Sequence, residues 1–250
     1  MLQNPYFWAA AIPAVVMVGL SKGGLGPLGT LAVPILSLAI SPVEAAGLTL
    51  PIFVASDVVA VISYRREFEP SVLKVMLPAA IVGIVVGWFA AAWVSDDAVR
   101  LIVGAVSVLF ALNYWLRTGQ SLEPSRPSTP RGAFWGAVAG FTSFVSHSGG
   151  PPFQMYALPL RLAPQVFAGT SVIFFAAVNA IKLIPYFFLG QFRTANLEAA
   201  ALLTPLSIAC ALVAVRIVRV IDQKAFYRLI YLVMFLIGLF LIGQAVLDLV

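Results

Sequence analysis

Long apolar stretches separated by short polar loops fill the whole chain. They lack the residue-by-residue alternation of strands, and several run for about 20 residues, the length of a helix that crosses the hydrocarbon of a bilayer. The pattern therefore predicts an all-α polytopic membrane protein without a separate aqueous domain. The predicted segments cover residues 6–20, 25–40, 45–64, 72–94, 98–116, 133–145, a stretch that ends near 160, then 166–189, 197–215 and 226–247.

Two glycine- and proline-rich stretches interrupt this pattern, each between apolar segments that are short for a full span. The first break is Gly19-Leu20-Ser21-Lys22-Gly23-Gly24-Leu25-Gly26-Pro27-Leu28-Gly29, and the second break is Gly140-Phe141-Thr142-Ser143-Phe144-Val145-Ser146-His147-Ser148-Gly149-Gly150-Pro151-Pro152. In both, glycines precede a proline and an apolar helix, so each break would aim a helix N-terminus at the membrane interior. Unpaired backbone persists at that depth only against protein, water or a ligand. Two such N-termini predict an anion site.

The segments before and after a polar linker correspond to each other. Asp57 and Asn179 each follow the glycine of an Ala-Gly pair by ten residues, and an Arg-Leu-Ile triplet recurs at residues 100–102 and 228–230. We predict two inverted-topology repeats, each with a broken or re-entrant helix pair plus three full transmembrane helices, as in secondary transporters. The predicted units are an N-terminal transmembrane repeat at 1–117, a cytoplasmic linker at 118–131 and a C-terminal transmembrane repeat at 132–250.

Composition and charge agree with the membrane interpretation and give an orientation. The chain is 61% hydrophobic and only 10% charged, whereas roughly a quarter of the residues of soluble domains are charged. The net charge of +5 comes from basic residues at segment ends, which indicates cytoplasmic loops rather than nucleic-acid binding. The clusters at 65–74, 117–131 and 216–228 fall on one predicted side. The linker is therefore predicted in the cytoplasm and both termini in the periplasm.

Three ionisable residues carry the candidate chemistry. A lysine near the bilayer centre costs about 3 kcal/mol or more, so Lys22 requires a partner, either an anionic substrate or Asp57, unless it reaches an interface. Asp57 is the one carboxylate well inside a predicted span and is the candidate for a coupling proton, or else a structural partner of Lys22. His147 could carry a proton or bind the substrate, or it could be a neutral ring bonded to a carbonyl of its break.

The remaining candidates supply hydrogen-bond donors near the breaks. Serine hydroxyls there could bind an anion or satisfy the interrupted backbone. We expect substrate binding by Ser21, Lys22, Gly23, Gly24, Ser146, His147, Ser148, Gly149, Gly150, Gln154, Asn179 and Lys182, and proton coupling by Asp57 and His147.

Other function classes fit the sequence less well. A metal permease is disfavoured by one histidine, one cysteine (Cys210) and few intramembrane carboxylates, so neither a metal site nor a cofactor is expected. A membrane-embedded enzyme would need a second catalytic group beside His147, and none is evident, so the chain is not expected to be an enzyme. An anion channel or uniporter and a homo-oligomer both remain open.

The two breaks and the duplication resemble the TauE/SafE sulfite-exporter family of bacterial inner-membrane permeases. The resemblance covers essentially the whole chain and is carried by residues 19–26 and 143–156. It implies a multi-pass protein of the inner membrane that moves sulfite, sulfonates, sulfoacetate or related anions. Many members have a plain glycine run at the first break, whereas this chain has Ser21-Lys22 before the glycines. Together with the predicted site, the expected function is a proton-coupled secondary transporter for a small sulfur-containing anion.

Overall fold

The computed structural model describes residues 3–90, 93–116 and 124–248, which form helices and no strand. This confirms the all-α prediction. Seven helices in these parts of the chain are long and apolar enough to span a membrane, which makes the protein a multi-pass membrane protein. The α-helices are α1 Pro5–Leu20, α2 Ala32–Leu36, α3 Pro42–Tyr64, α4 Pro70–Ala90, α5 Asp96–Leu116, α6 Thr129–Ser146, α7 Gly150–Ala157, α8 Pro164–Phe188, α9 Thr194–Val220 and α10 Gln223–Asp248.

The segment after the first break differs from its prediction. A single helix was expected over 25–40, but a π-helical turn at Ser21–Leu25 leads into a 3-10 segment at Gly26–Leu31, and α2 has only five residues. The glycines at 24 and 26 have positive φ, which an α-helix does not accommodate. The first break is therefore not followed by a long helix whose N-terminus could bind an anion.

The linker between the predicted repeats is shorter than expected at its C-terminal end. Residues 117–123 lie outside the described part of the chain, so most of the predicted linker at 118–131 carries no structural description. The helix α6 begins at Thr129, before the predicted linker end at 131. Ser128 precedes the helix in extended conformation, and Pro130 occupies the first turn, where its missing N–H is of no consequence.

The helices α3 and α8 lie side by side and run in opposite directions through the centre of the protein. Beyond the end of α3, the Glu69 N–H donates to the Thr170 hydroxyl near the start of α8 over 2.8 Å. At the other end, Arg193 lies 3.5 Å from Glu44, which stands at the start of α3. The C-terminal ends of α3 and α8 are therefore at opposite ends of the protein.

Six of the other described helices pack in pairs around this centre: α4 along α6, α1 along α9, and α5 along α10. Small residues permit the close approach, since Gly136 and Gly140 of α6 abut the backbone of Met76 and Ala80, and Gly19 abuts that of Ser207. In an inverted duplication the pairs α4–α6 and α9–α1 would be equivalent, and α5–α10 would join two equivalent helices. The packing is compatible with that symmetry, while the repeat boundaries remain a prediction.

Candidate functional site

The first break is a fixed turn rather than a frayed helix end. Gly24 has φ 104° and Gly26 has φ 74°, conformations that glycine adopts without the steric cost of a Cβ. The Ser21 hydroxyl donates to the Gly26 carbonyl over 2.6 Å, and the Tyr64 hydroxyl donates to the Gly23 carbonyl over 2.7 Å. Side chains thus satisfy carbonyl groups that the interrupted helix leaves without helical partners.

The second break is held mainly by its own hydroxyl groups. His147 ends α6 in the left-handed conformation, with φ 53°. The N–H of Ser148 donates to the Thr142 carbonyl, and the Thr142 hydroxyl donates back to the Ser148 carbonyl over 3.2 Å. The Ser146 hydroxyl also donates to the Thr142 carbonyl, at 3.2 Å, and the Ser148 hydroxyl to the Ser146 carbonyl, at 3.1 Å. The hydroxyls of Ser146 and Ser148 therefore satisfy the interrupted backbone, which is the alternative to anion binding that was expected for the serines of the breaks.

A small cavity of about 50 Å³ lies between the two breaks. We call it the central cavity. Its walls come from both breaks and from the middle of α3 and α8. A Cβ atom placed on Gly150 would be 3.0 Å from Pro27, so the two breaks touch directly beside it. The lining residues are Ser21, Lys22, Gly26, Pro27, Gly29, Thr30, Phe53, Ser143, His147, Gly149, Gly150, Ser171, Val172, Phe175 and Asn179.

Lys22 forms an ion pair at the wall of this cavity. Its Nζ lies 2.7 Å from Oδ1 of Asp57, and the Asn179 Nδ2 donates to the other carboxylate oxygen over 2.8 Å. All three side chains are buried, and the Lys22 ammonium also lies 4.7 Å from the centre of the Phe53 ring. Lys22 and Asn179 line the cavity, whereas Asp57 does not. This ion pair compensates the charge of the first lysine.

Lys182 is a second buried lysine, and its surroundings differ. Its ammonium donates to the Ser143 carbonyl and lies 3.4 Å from Nδ1 of His147. Because an ammonium only donates, one tautomer satisfies the ring: Nδ1 accepts and the Nε2–H donates to the Tyr186 hydroxyl 2.7 Å away. Within the described residues, no carboxylate pairs with Lys182. Among the described lysines and carboxylates, Lys22 therefore lines the central cavity, and Asp57 and Lys182 lie behind its wall.

A protein-family model matches most of the chain. The family model of the sulfite exporter TauE/SafE matches residues 11–241, which include both breaks. The chain belongs to the sulfite exporter TauE/SafE family. This confirms the resemblance, and because TauE/SafE is a family of transporters of sulfite and other anions, membership is consistent with a non-enzymatic membrane protein. No match was found among curated proteins or among solved structures.

Six of the predicted site residues of this TauE/SafE protein line the central cavity. They belong to both breaks and to α8, so the fold brings together groups that are far apart in the sequence. These six are Ser21, Lys22, His147, Gly149, Gly150 and Asn179.

The other predicted residues lie behind the wall for identifiable reasons. Gly23 packs against Ala214 of α9, and Gly24 packs against Ala168 and the Tyr64 ring. The Gln154 side chain fills the space beside Gly26. The predicted residues that do not line the cavity are Gly23, Gly24, Ser146, Ser148, Gln154, Lys182 and Asp57. Direct substrate contact by these residues remains a prediction.

Three side chains on α3 and α8 escaped the sequence prediction. Phe53 lies four residues before Asp57, and Phe175 and Ser171 lie four and eight residues before Asn179. Residues spaced by four lie on one face of a helix, so counting back from the two polar residues would have found them. The remaining wall residues that were missed are Gly26, Pro27, Gly29, Thr30, Ser143 and Val172.

Proposed function

We propose that the protein is a secondary transporter that binds a small sulfur-containing anion of the sulfite, sulfonate or sulfoacetate class in the central cavity. The observation that carries the proposal is a pair of buried lysines, Lys22 in the cavity wall and Lys182 behind it, for which Asp57 is the one carboxylate partner among the described residues. A buried charge without a partner is costly in a membrane protein. An anion in the cavity would supply the missing countercharge.

The donors around the cavity suit a tetrahedral or pyramidal oxyanion. Thr30, Ser143 and Ser171, each with a hydroxyl group, line the cavity together with Asn179, whose amide has a second N–H besides the one that it donates to Asp57. Gly149 and Gly150 lie at the N-terminus of α7, and the two prolines that follow carry no N–H. The amide groups of these glycines are therefore the backbone donors that the first turn of α7 offers to an anion.

Proton coupling follows from competition for Lys22. An anion that contacts the Lys22 ammonium would weaken its contact with Asp57 over 2.7 Å. A carboxylate left unpaired in the membrane interior takes up a proton more readily, so anion binding and proton binding would favour each other. His147 is less suited to this task, because a second ring proton would face the Lys182 ammonium 3.4 Å away.

The topology that we propose places the basic end of the bundle in the cytoplasm and both chain termini in the periplasm of a bacterial inner membrane. The antiparallel course of α3 and α8 supports two repeats of opposite orientation around the cavity. Alternating access would then be a rocking of these repeats about a site near the membrane midplane.

Binding to the purified protein tests the proposed substrate class. Thermal unfolding is followed with sulfite, sulfoacetate, an alkylsulfonate, sulfate and acetate, since selective binding raises the unfolding temperature. Lys22→Gln should abolish the stabilisation by the preferred sulfur anion, while Lys74→Gln, an exposed site, should retain it. Equal anion stabilisation of wild type and Lys22→Gln would overturn the assignment of the cavity. In proteoliposomes, anion flux that does not depend on an imposed proton gradient would instead support the channel or uniporter alternative.

A further inference from the structure

Two tyrosines at matched positions each contact one of the breaks. Tyr64 follows Asp57 by seven residues in α3, and Tyr186 follows Asn179 by seven residues in α8. Seven residues are close to two turns of α-helix, so each tyrosine projects from nearly the same face as its polar partner. The central helix pair thus presents a polar residue within each helix and a tyrosine two turns further along, once in each direction.

The first contact joins Tyr64 to the tip of the first break. The Tyr64 side chain is fully buried, and its hydroxyl donates to the Gly23 carbonyl over 2.7 Å. Gly23 adjoins Lys22, and the following residue, Gly24, has the positive φ that turns the chain. This hydrogen bond therefore fixes the segment that carries the cavity lysine.

The second contact joins Tyr186 to the tip of the second break. The Tyr186 hydroxyl lies 2.7 Å from Nε2 of His147, which lines the cavity and stands in the left-handed conformation at the end of α6. The other ring nitrogen of His147 faces Lys182 at 3.4 Å. This hydrogen bond therefore fixes the residue at which the second break turns.

The two contacts lie at opposite ends of the protein, with the cavity between them. Tyr64 packs beside Gly169, near the start of α8, and precedes the basic pair at 65–66. The carbonyl of Tyr186 accepts from the N–H of Gln191, whose own carbonyl abuts Gly47 near the start of α3. Release of either contact would free one break tip at one end only.

We propose that these hydrogen bonds are paired latches that close the central cavity from its two sides. The inner latch is Tyr64–Gly23, at the end that carries Arg65 and Arg66, and the outer latch is Tyr186–His147. The tyrosines are positioning residues, because neither lines the cavity. The anion leaves towards one side only after the latch of that side has opened. This inference rests on the proposed function for the identity of the cargo, but not for the closure itself.

The strength of the latches suits this role. A neutral hydrogen bond contributes modestly to a folded state, because water or another partner replaces it when it breaks. Each latch can therefore open without unfolding its break. Removing one hydroxyl should shift the balance between closed and open forms about fivefold, the factor that corresponds to one such bond.

Side-specific labelling of a cavity residue tests the latches. The one cysteine of the chain, Cys210, is replaced by serine, and Val172→Cys places a thiol on the cavity wall. A membrane-impermeant maleimide is applied to right-side-out and to inside-out vesicles, and an Arg66→Cys sample identifies the inner face. Tyr64→Phe should raise the labelling rate about fivefold from the inner face only, and Tyr186→Phe about fivefold from the other face only.

Tyr227→Phe is the matched control, since its buried hydroxyl donates to the Leu162 carbonyl over 2.9 Å, away from both breaks, and the variant should label like the parent. Breaking the outer latch from its other partner, with His147→Phe, should reproduce the side preference of Tyr186→Phe and provides a second route if one variant does not fold. Folded variants with unchanged labelling, or with equal increases from both faces, would overturn the proposal. Labelling is measured without any anion, so a wrong substrate assignment would leave its outcome intact.

Discussion

The Asn179 amide donates to the Asp57 carboxylate over 2.8 Å and thereby joins α8 to α3 beside the central cavity. The two residues occupy matched positions in the two halves of the sequence, ten residues after Gly169 and Gly47. One half contributes a charge and the other a neutral donor. Asn179 of α8 thus orients the carboxylate that pairs with Lys22 of the first break. A change in the contacts of Lys22 therefore affects both halves of the protein.

The first prediction concerns the pH dependence of anion binding. If Asp57 takes up a proton when the anion engages Lys22, affinity rises as the pH falls, by at most about tenfold for each pH unit. Asp57→Asn should remove this dependence, because its amide has no carboxyl proton to gain. Affinity for an alkylsulfonate, whose own charge does not change over the range, is measured by equilibrium binding at several pH values. Glu44→Gln, at the edge of the protein, should retain the wild-type slope. If the anion affinity of Asp57→Asn depends on pH as strongly as that of the wild type, the coupling proton binds at another residue.

The second prediction separates the stability of the ion pair from its role in binding. Lys22→Met leaves Asp57 without its cation and should lower stability by about 3 kcal/mol, since a buried charge that loses its partner is strongly destabilising. The double variant Lys22→Met/Asp57→Leu removes both charges and should recover most of that loss. The readout is thermal unfolding of the purified variants, with anion binding measured in parallel. Recovered stability with absent anion binding is the expected result, and a double variant less stable than both single variants would contradict it.

The sequence allowed the membrane class, the helices and both breaks to be predicted because these depend on local composition. The length of an apolar stretch indicates a membrane-spanning helix, and glycine followed by proline indicates an interruption of a helix. The contact of Lys22 with Asp57 was anticipated only as one of two alternatives, because both partners are charged groups that require compensation.

The three-dimensional environment of the breaks could not be read from the same pattern. Gly23 and Gly150 look alike in sequence, yet Gly23 packs on α9 and Gly150 lines the cavity. The difference arises from the direction in which each turn faces, which is set by neighbours distant in the chain. The tyrosines at 64 and 186 were missed for the same reason, since a buried tyrosine in an apolar helix has no distinctive local signal.

The third prediction concerns the turn at Gly24. A Cβ atom there would combine an unfavourable backbone conformation at φ 104° with close approach to Ala168 and the Tyr64 hydroxyl. The unfavourable backbone conformation alone costs about 1–2 kcal/mol, so Gly24→Ala should lower the free energy of unfolding by more than that amount. Gly190→Ala isolates that cost, because Gly190 has φ 65° and no neighbour within 4 Å. Gly243→Ala, in a helix with open space, should raise stability by up to about 1 kcal/mol, because alanine favours a helix more than glycine does. Thermal unfolding should rank the three variants in that order, and equal losses at 24 and 190 would show that the turn can relax.

The last prediction tests whether excess positive charge holds the anion. Asn179→Asp keeps the shape of the side chain but adds a second carboxylate at the cavity wall, three residues before Lys182 on the same helix face. The added carboxyl would lie beside Asp57, so the two share a proton until the pH is high enough to ionise both. Once both are ionised, anion affinity should fall on the order of tenfold or more, because like charges repel strongly in a weakly polar interior. The same substitution at the exposed Asn113 should leave affinity unchanged, and equilibrium binding of the preferred sulfur anion measures both. Raising the pH should deepen the loss in Asn179→Asp, because the added carboxyl then ionises more fully. If affinity is retained while the added carboxyl is ionised, the donors of the wall rather than the charge balance hold the anion.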